Sequence, residues 1–199
     1  MSTADTVTSG LAPGFLVASP RLRDPNFARS LVLMAEHKPE GSLGFVVNRP
    51  SRVTVGEVLE QVDPALRAVA ERNERAGASV MVGGPVQPER LWILHRPDSV
   101  PADEGGLVIP GALAVGGSRE LLEALVRAPT PDPFVLLLGY SGWGPLQVER
   151  EVGAGGWIPL PFVESLVFDV PPAARWDEAV KRLGLTPGGF SVGGGGAQA

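Results

Sequence analysis

The sequence predicts an α/β (α+β) protein built on a mixed sheet within one domain. Three observations carry this. Apolar runs of strand length recur along the chain, led by residues 31–35 and 134–138. Helix-start signals stand between them, at Thr54 with Glu57, at Asp63-Pro64 and at Ser118. The two kinds of segment alternate without the regular rhythm of a βαβ series. A length of 199 residues suits one domain. Residues 14–186 are read as that domain, 1–13 as a flexible N-terminus and 187–199 as a disordered Gly-rich tail.

Taken in order, Gly14–Ala18 reads as a strand. Residues 30–37 and 43–48 read as two strands joined by KPEGS, whose Pro and Gly suit a hairpin. Thr54 and Glu57 have the spacing of a capping box, in which each side chain accepts from the other residue's backbone N–H. Val55, Val58, Leu59 and Val62 then share one helical face. Asp63-Pro64 opens a second helix, expected to run to about Ala76 and stop at Gly77. Ser79–Val82 and residues 91–95 read as strands, and 97–106 as a long loop. Ser118 caps a helix with Leu121, Leu122, Leu125 and Val126 on its apolar face. Residues 134–138 read as a central strand covered on both faces. A last helix spans 171–183, with Trp176, Val180 and Leu183 on one side.

Composition excludes several functions. Cysteine is absent, so there is no disulfide scaffold, thiolate nucleophile or zinc ribbon. The net charge of −5 argues against a dedicated nucleic-acid binder. Arg21, Arg23, Arg29, Arg49 and Arg52 could still form a local basic patch. No run reaches the ~18 apolar residues of a membrane helix. The N-terminus lacks the basic and apolar regions of a signal peptide, so the expected location is cytoplasmic.

The most pointed chemistry lies in GYSGWGP at 139–145. Read as a strand-to-helix turn, its glycines allow close backbone approach, and Pro145 suits the first helical position. Free N–H groups at a helix start favour an anion. The same residues also suit a plain tight turn with Trp143 packed over it. Ser141 fails as a nucleophile elbow, because Trp143 stands where that turn needs glycine. Asn48 before Pro50, and Gly83-Gly84 after a strand, are two further turns that could share a cleft with 139–144. His37 and His95 each end an apolar strand and could meet if those strands pair. Glu36 precedes His37, so on a strand the two point to opposite faces and do not chelate one ion.

Together these segments resemble the YqgE/AlgH family of bacterial proteins. The resemblance rests on Pro20 with Arg29-Ser30, Glu36-His37, GFVVNRP at 44–50, GGPV at 83–86 and His95 after LWIL. It continues through GYSGWGP at 139–145, Gln147 with Glu149 and Glu151, Trp157, and Arg175-Trp176. It spans residues 11 to 185. One position departs: the family usually has glycine after the GWGP proline, and here it is Leu146. The resemblance implies a compact fold with a mixed, strongly curved sheet and flanking helices, and a bacterial cytosolic location. It implies no settled activity; the family carries a transcriptional-regulator label.

The residues point first to a non-enzymatic regulatory protein that binds a small anionic molecule. Its pocket would be built from Asn48, Gly83, Gly84, Gly139, Tyr140, Ser141, Gly142, Trp143 and Gly144, with Tyr140 and Trp143 as walls. The alternative is an enzyme using Glu36, His37 or His95 as acid/base groups. A third reading is a protein-interaction or transcriptional regulator using the 21–52 arginines. No cofactor, metal or membrane is expected, and direct nucleic-acid contact lacks a recognition helix.

Overall fold

Strands form where apolar side chains can be buried on both faces of one sheet. In the computed structural model, which describes residues 10–100, 106–129 and 132–186, β1 (Gly14–Ala18) is buried along its whole length. β2 (Leu31–Lys38) and β3 (Gly41–Val46) form an antiparallel hairpin around Pro39 and Glu40. Then come β4 (Pro50–Thr54), β5 (Ser79–Val82), β6 (Val86–His95), β7 (Leu107–Val108), β8 (Ala114–Gly116), β9 (Phe134–Trp143) and β10 (Trp157–Pro161). The helices are α1 (Val55–Val62), α2 (Pro64–Arg72), α3 (Arg119–Arg127), α4 (Gln147–Gly153), α5 (Ser165–Phe168) and α6 (Arg175–Arg182). A single 3₁₀ turn, Pro172–Ala174, leads into α6. The expected tail, residues 1–9 and residues 101–105 of the loop 97–106 lie outside the described residues.

The strands make one open sheet in the order β10-β1-β2-β3-β9-β6-β8-β7, with β5 also on β9 and β4 on β5. Pairing is antiparallel except for β5 beside β9, so the sheet is mixed. β9 joins the two halves. Its residues Phe134 to Leu138 pair with β6, and Leu137 and Leu138 with β5; Ser141 to Trp143 pair with β3. The exchange of neighbours falls at Gly139, whose φ of 69° lets the strand turn there.

Side chains alternate between layers. Phe15, Val17, Leu31, Leu33 and Phe45 face α5 and α6 with Trp176 and Val180. Leu16, Val32, Met34 and Val46 face the opposite way, towards Trp143, Val148 of α4 and Trp157. Val80, Ile93 and Leu136 pack under α1, α2 and α3 with Leu59, Leu66 and Leu122. Each fully buried aliphatic side chain contributes about 1.5–3 kcal/mol.

The predicted caps are all made. The Thr54 hydroxyl accepts from the Glu57 N–H at 3.3 Å, and the Glu57 carboxylate accepts from the Thr54 N–H at 2.7 Å. That bond holds the Glu57 carboxyl below the usual carboxylate range. Asp63 accepts from the Ala65 N–H at 2.8 Å, and Ser118 from the Leu121 N–H at 3.1 Å.

Several boundaries differ from the sequence reading, among them β3, which spans Gly41–Val46 rather than 43–48, and the last helix, where a 3₁₀ turn at Pro172–Ala174 precedes α6. α2 ends at Arg72, because the chain turns back and the Ala76 and Ala78 carbonyls accept from the first amides of α1. β6 starts at Val86 rather than Leu91, with a register irregularity between them that the apolar pattern hides. β9 runs on to Trp143, through the segment read as a turn. The strands not anticipated, β4, β7, β8 and β10, are short or proline-bearing.

Candidate functional site

The GYSGW segment is strand, not loop. Pairing with Ser42, Leu43 and Gly44 of β3 overrides its turn-like composition. Pro145 lies before α4 rather than in its first turn, and the seven-residue α4 begins at Gln147. The Gly144 N–H already donates to the Gln147 side-chain oxygen at 3.0 Å. The expected anion cradle at a helix start is therefore not formed as a turn.

The inner half of this segment is filled by the protein itself. Gly83 and Gly84, at the end of β5, lie directly on Gly139, Tyr140 and Ser141. A Cβ on either Gly83 or Gly84 would fall within 3.0 Å of that backbone. The Ser141 hydroxyl is fully buried and donates to the Gly83 carbonyl at 3.2 Å. The predicted loops do converge, but here they close on each other. Asn48 sits at the same junction and clamps the start of β2. Its Oδ1 accepts from the Leu31 N–H at 2.7 Å, and its Nδ2 donates to the Arg29 carbonyl at 2.9 Å.

The outer half is open. Gly142 is exposed, and a Cβ there would meet nothing closer than the Tyr140 ring at 3.7 Å. A shallow groove of about 370 Å³ runs over it, lined by Tyr140, Leu43 and the hairpin residues Glu36, Lys38 and Glu40. Strand register explains the grouping: Glu36 opposes Leu43, which opposes Gly142. Lys38 pairs with Glu36 at 2.8 Å. Trp143 borders the groove, but its indole is not a wall. The alternation along β9 sends it to the other face, where it is buried against Phe27 and Trp157. Gly144 is likewise exposed, next to Gln147.

The candidate acid/base groups are separated. His37 opposes Ser42 on the α4 face, opposite to Glu36. Its Nδ1 lies 2.8 Å from the Ser42 hydroxyl and its Nε2 3.7 Å from the Glu149 carboxylate. His95 ends β6, buried, with Nδ1 2.7 Å from the Arg96 carbonyl. It borders a separate cavity of about 140 Å³ with Leu107 and Val115. Because β3 and β9 stand between β2 and β6, the two strands do not pair and the histidines do not meet through them. Among the described residues no group of three or more His, Asp or Glu side chains could hold a metal ion. Two of the candidate basic-patch arginines serve the fold. Arg29 pairs with Asp177 at 3.0 Å and covers Trp176, and Arg49 donates to the Asn26 and Ala28 carbonyls.

Three residues with clear local roles were not singled out from the sequence as candidate site residues. Ser42 and Glu149 flank His37. Glu151 accepts from the Trp143 indole at 3.1 Å, the Trp157 indole at 2.8 Å and the Gln147 amide at 2.9 Å. The i, i+2, i+4 spacing of Gln147, Glu149 and Glu151 was the available signal, but nothing local tells which partners each would find.

A family model described as DUF179, AlgH-like, matches residues 15–188. The chain is 70% identical over 193 residues to a UPF0301 protein of Anaeromyxobacter sp. (strain Fw109-5), covering 96% of this chain and 97% of the relative. It is 40% identical to a UPF0301 protein of Methylococcus capsulatus, covering 88% and 90%. The solution structure of the AlgH protein from Pseudomonas aeruginosa superposes with a TM-score of 0.71 at 34% identity, covering 89% and 91%. A crystal structure of a protein from Corynebacterium diphtheriae, at 21% identity and a TM-score of 0.64 with 86% of each chain covered, shares the fold.

Proposed function

The chain belongs to the AlgH-like family, and on that premise we propose that it is a small-molecule-binding regulatory protein whose ligand seat is the groove over Gly142. Gly142 carries the reading. It is exposed, needs no positive φ and has room for a side chain, so nothing in the fold calls for glycine there. A glycine inside a strand without a packing reason suits close approach of a ligand to the backbone. Tyr140 offers an aromatic wall. The rim carries Glu40 and the Glu36–Lys38 pair, leaving one net negative charge, which favours a small polar ligand bearing a hydrogen-bond donor or a cationic group. The same reading places the protein in the bacterial cytoplasm, as the family resemblance implies. No described helix is long and apolar enough to cross a membrane.

The test is thermal stability against amines, amino acids, nucleosides, nucleotides, phosphorylated metabolites, carboxylates and divalent metals. A ligand at about 100 times its Kd adds ~2.7 kcal/mol, roughly 5–10 °C for a domain this size. Gly142→Val should keep the unliganded Tm and abolish that shift. If no compound gives a shift, or every shift seen survives Gly142→Val, the groove is refuted as ligand seat.

A second reading, an enzyme, is favoured by the Ser42–His37–Glu149 contacts, which give His37 a partner on each ring nitrogen. It stands second because this constellation lies on the α4 face, away from the Glu36–Tyr140 groove. Loss of a hydrolytic activity in His37→Ala, with ligand binding to the groove intact, would promote it.

A further inference from the structure

A third pocket, of about 280 Å³, lies between β5, the start of β9, α5 and the entry to α6. Its walls are apolar, among them Val55, Met81, Phe134 and Phe168, and Ser79 is the one polar side chain besides Arg175. Arg175 is 5% exposed. Its Nε donates to the Val170 carbonyl at 2.8 Å and its Nη1 to the Val47 carbonyl. It forms no ion pair among the described residues, and Nη2 finds no partner there. Burial without a counter-charge pushes the guanidinium down to about 10, which still leaves it a cation at neutral pH.

An anchor between two carbonyls needs only neutral donors. A buried cation is costly unless something pairs with it. A guanidinium offers more N–H donors than two carbonyls use, in a planar fork that matches a carboxylate. The volume is at the small end for ligand sites, and the walls exclude a multiply charged group. We propose that this pocket binds a small organic monocarboxylate, with its carboxylate on the Nη2 side of Arg175 and its apolar body among Met81, Phe134 and Phe168. The proposal is independent of the groove over Gly142.

Calorimetric titration of the full chain with benzoate and hexanoate, against benzamide, hexanamide and inorganic phosphate, tests it. Each acid is expected to bind at least tenfold tighter than its amide and than phosphate. Arg175→Gln should erase the preference for acid over amide. Ala78→Leu, at the exposed rim of the pocket, should weaken acid binding at least tenfold while the unliganded Tm holds. Amides binding as tightly as acids, phosphate binding as tightly as either, no heat from the acids at millimolar concentration, or unchanged affinity in Ala78→Leu would each overturn it. If Arg175→Gln fails to fold, Ala78→Leu and the acid–amide comparison decide alone.

Discussion

The two halves of the 139–144 segment look alike in sequence and differ in every physical respect. Gly139, Tyr140 and Ser141 lie under Gly83 and Gly84, with no space for a methyl group between the two backbones. Gly142 and Gly144 face outward, with room to spare. In the inner half glycine is a packing requirement of the fold. In the outer half the fold does not need it, which is why the functional proposal rests there. A glycine-rich motif is thus two claims, and only the neighbours of each glycine separate them.

The sharpest way to break this comparison is Gly84→Ala. The added methyl would press on the Tyr140 carbonyl and the Ser141 hydroxyl. Overpacking of this kind costs about 3 kcal/mol or more. A domain this size should lose ~6–12 °C in Tm. A loss under about 2 °C in a thermal melt would mean that the inner half is not closed.

Glu151→Ala probes the end of the outer half, because Glu151 holds Trp143 where β9 ends. Two indole N–H groups would lose their acceptor. The expected cost is about 2 kcal/mol by denaturant titration. Glu151→Gln keeps an accepting oxygen and should recover at least half of that.

Leu146→Gly should act in the other direction. Leu146 has φ 58° and is 62% exposed, so it bears left-handed strain with little burial to offset it. Glycine there should stabilise by about 1 kcal/mol, or ~2–4 °C. The benefit is conformational, since glycine adopts a positive φ without the clash a side chain brings. No gain in Tm would show that the strain is relieved in some other way.

Gly142→Val has the smallest expected effect on stability, within about 0.5 kcal/mol. It should change ligand binding in the groove far more than it changes the melt. A large destabilisation would place Gly142 with the inner glycines and remove the ground for the groove.

Much of the fold was legible because its signals are local. The capping box at Thr54, the Asp63 and Ser118 caps and the apolar faces of α1 and α3 each depend on residues within one or two turns. β1 and β5 have the predicted ends, because their flanking turns are written beside them. The candidate residues were legible in the sequence, but not the surfaces they line. Glu36, Tyr140 and Gly142 do share a groove, whereas Trp143 turned to the other face and His95 to another cavity. Those outcomes follow from strand register and sheet order.

By itself, then, the sequence determined the sheet-and-helix class, the family, most element positions and the opposite facing of Glu36 and His37. Tertiary structure alone decided that GYSGW is strand, that Gly83 and Gly84 cover its inner half, and that Arg175 is buried without a counter-ion. The physical reason is range. Hydrogen bonding within a turn and side-chain periodicity are set over a few residues. Which backbone lies against which, and whether a charge meets its partner, depends on segments such as 83–84 and 139–141 that are far apart along the chain.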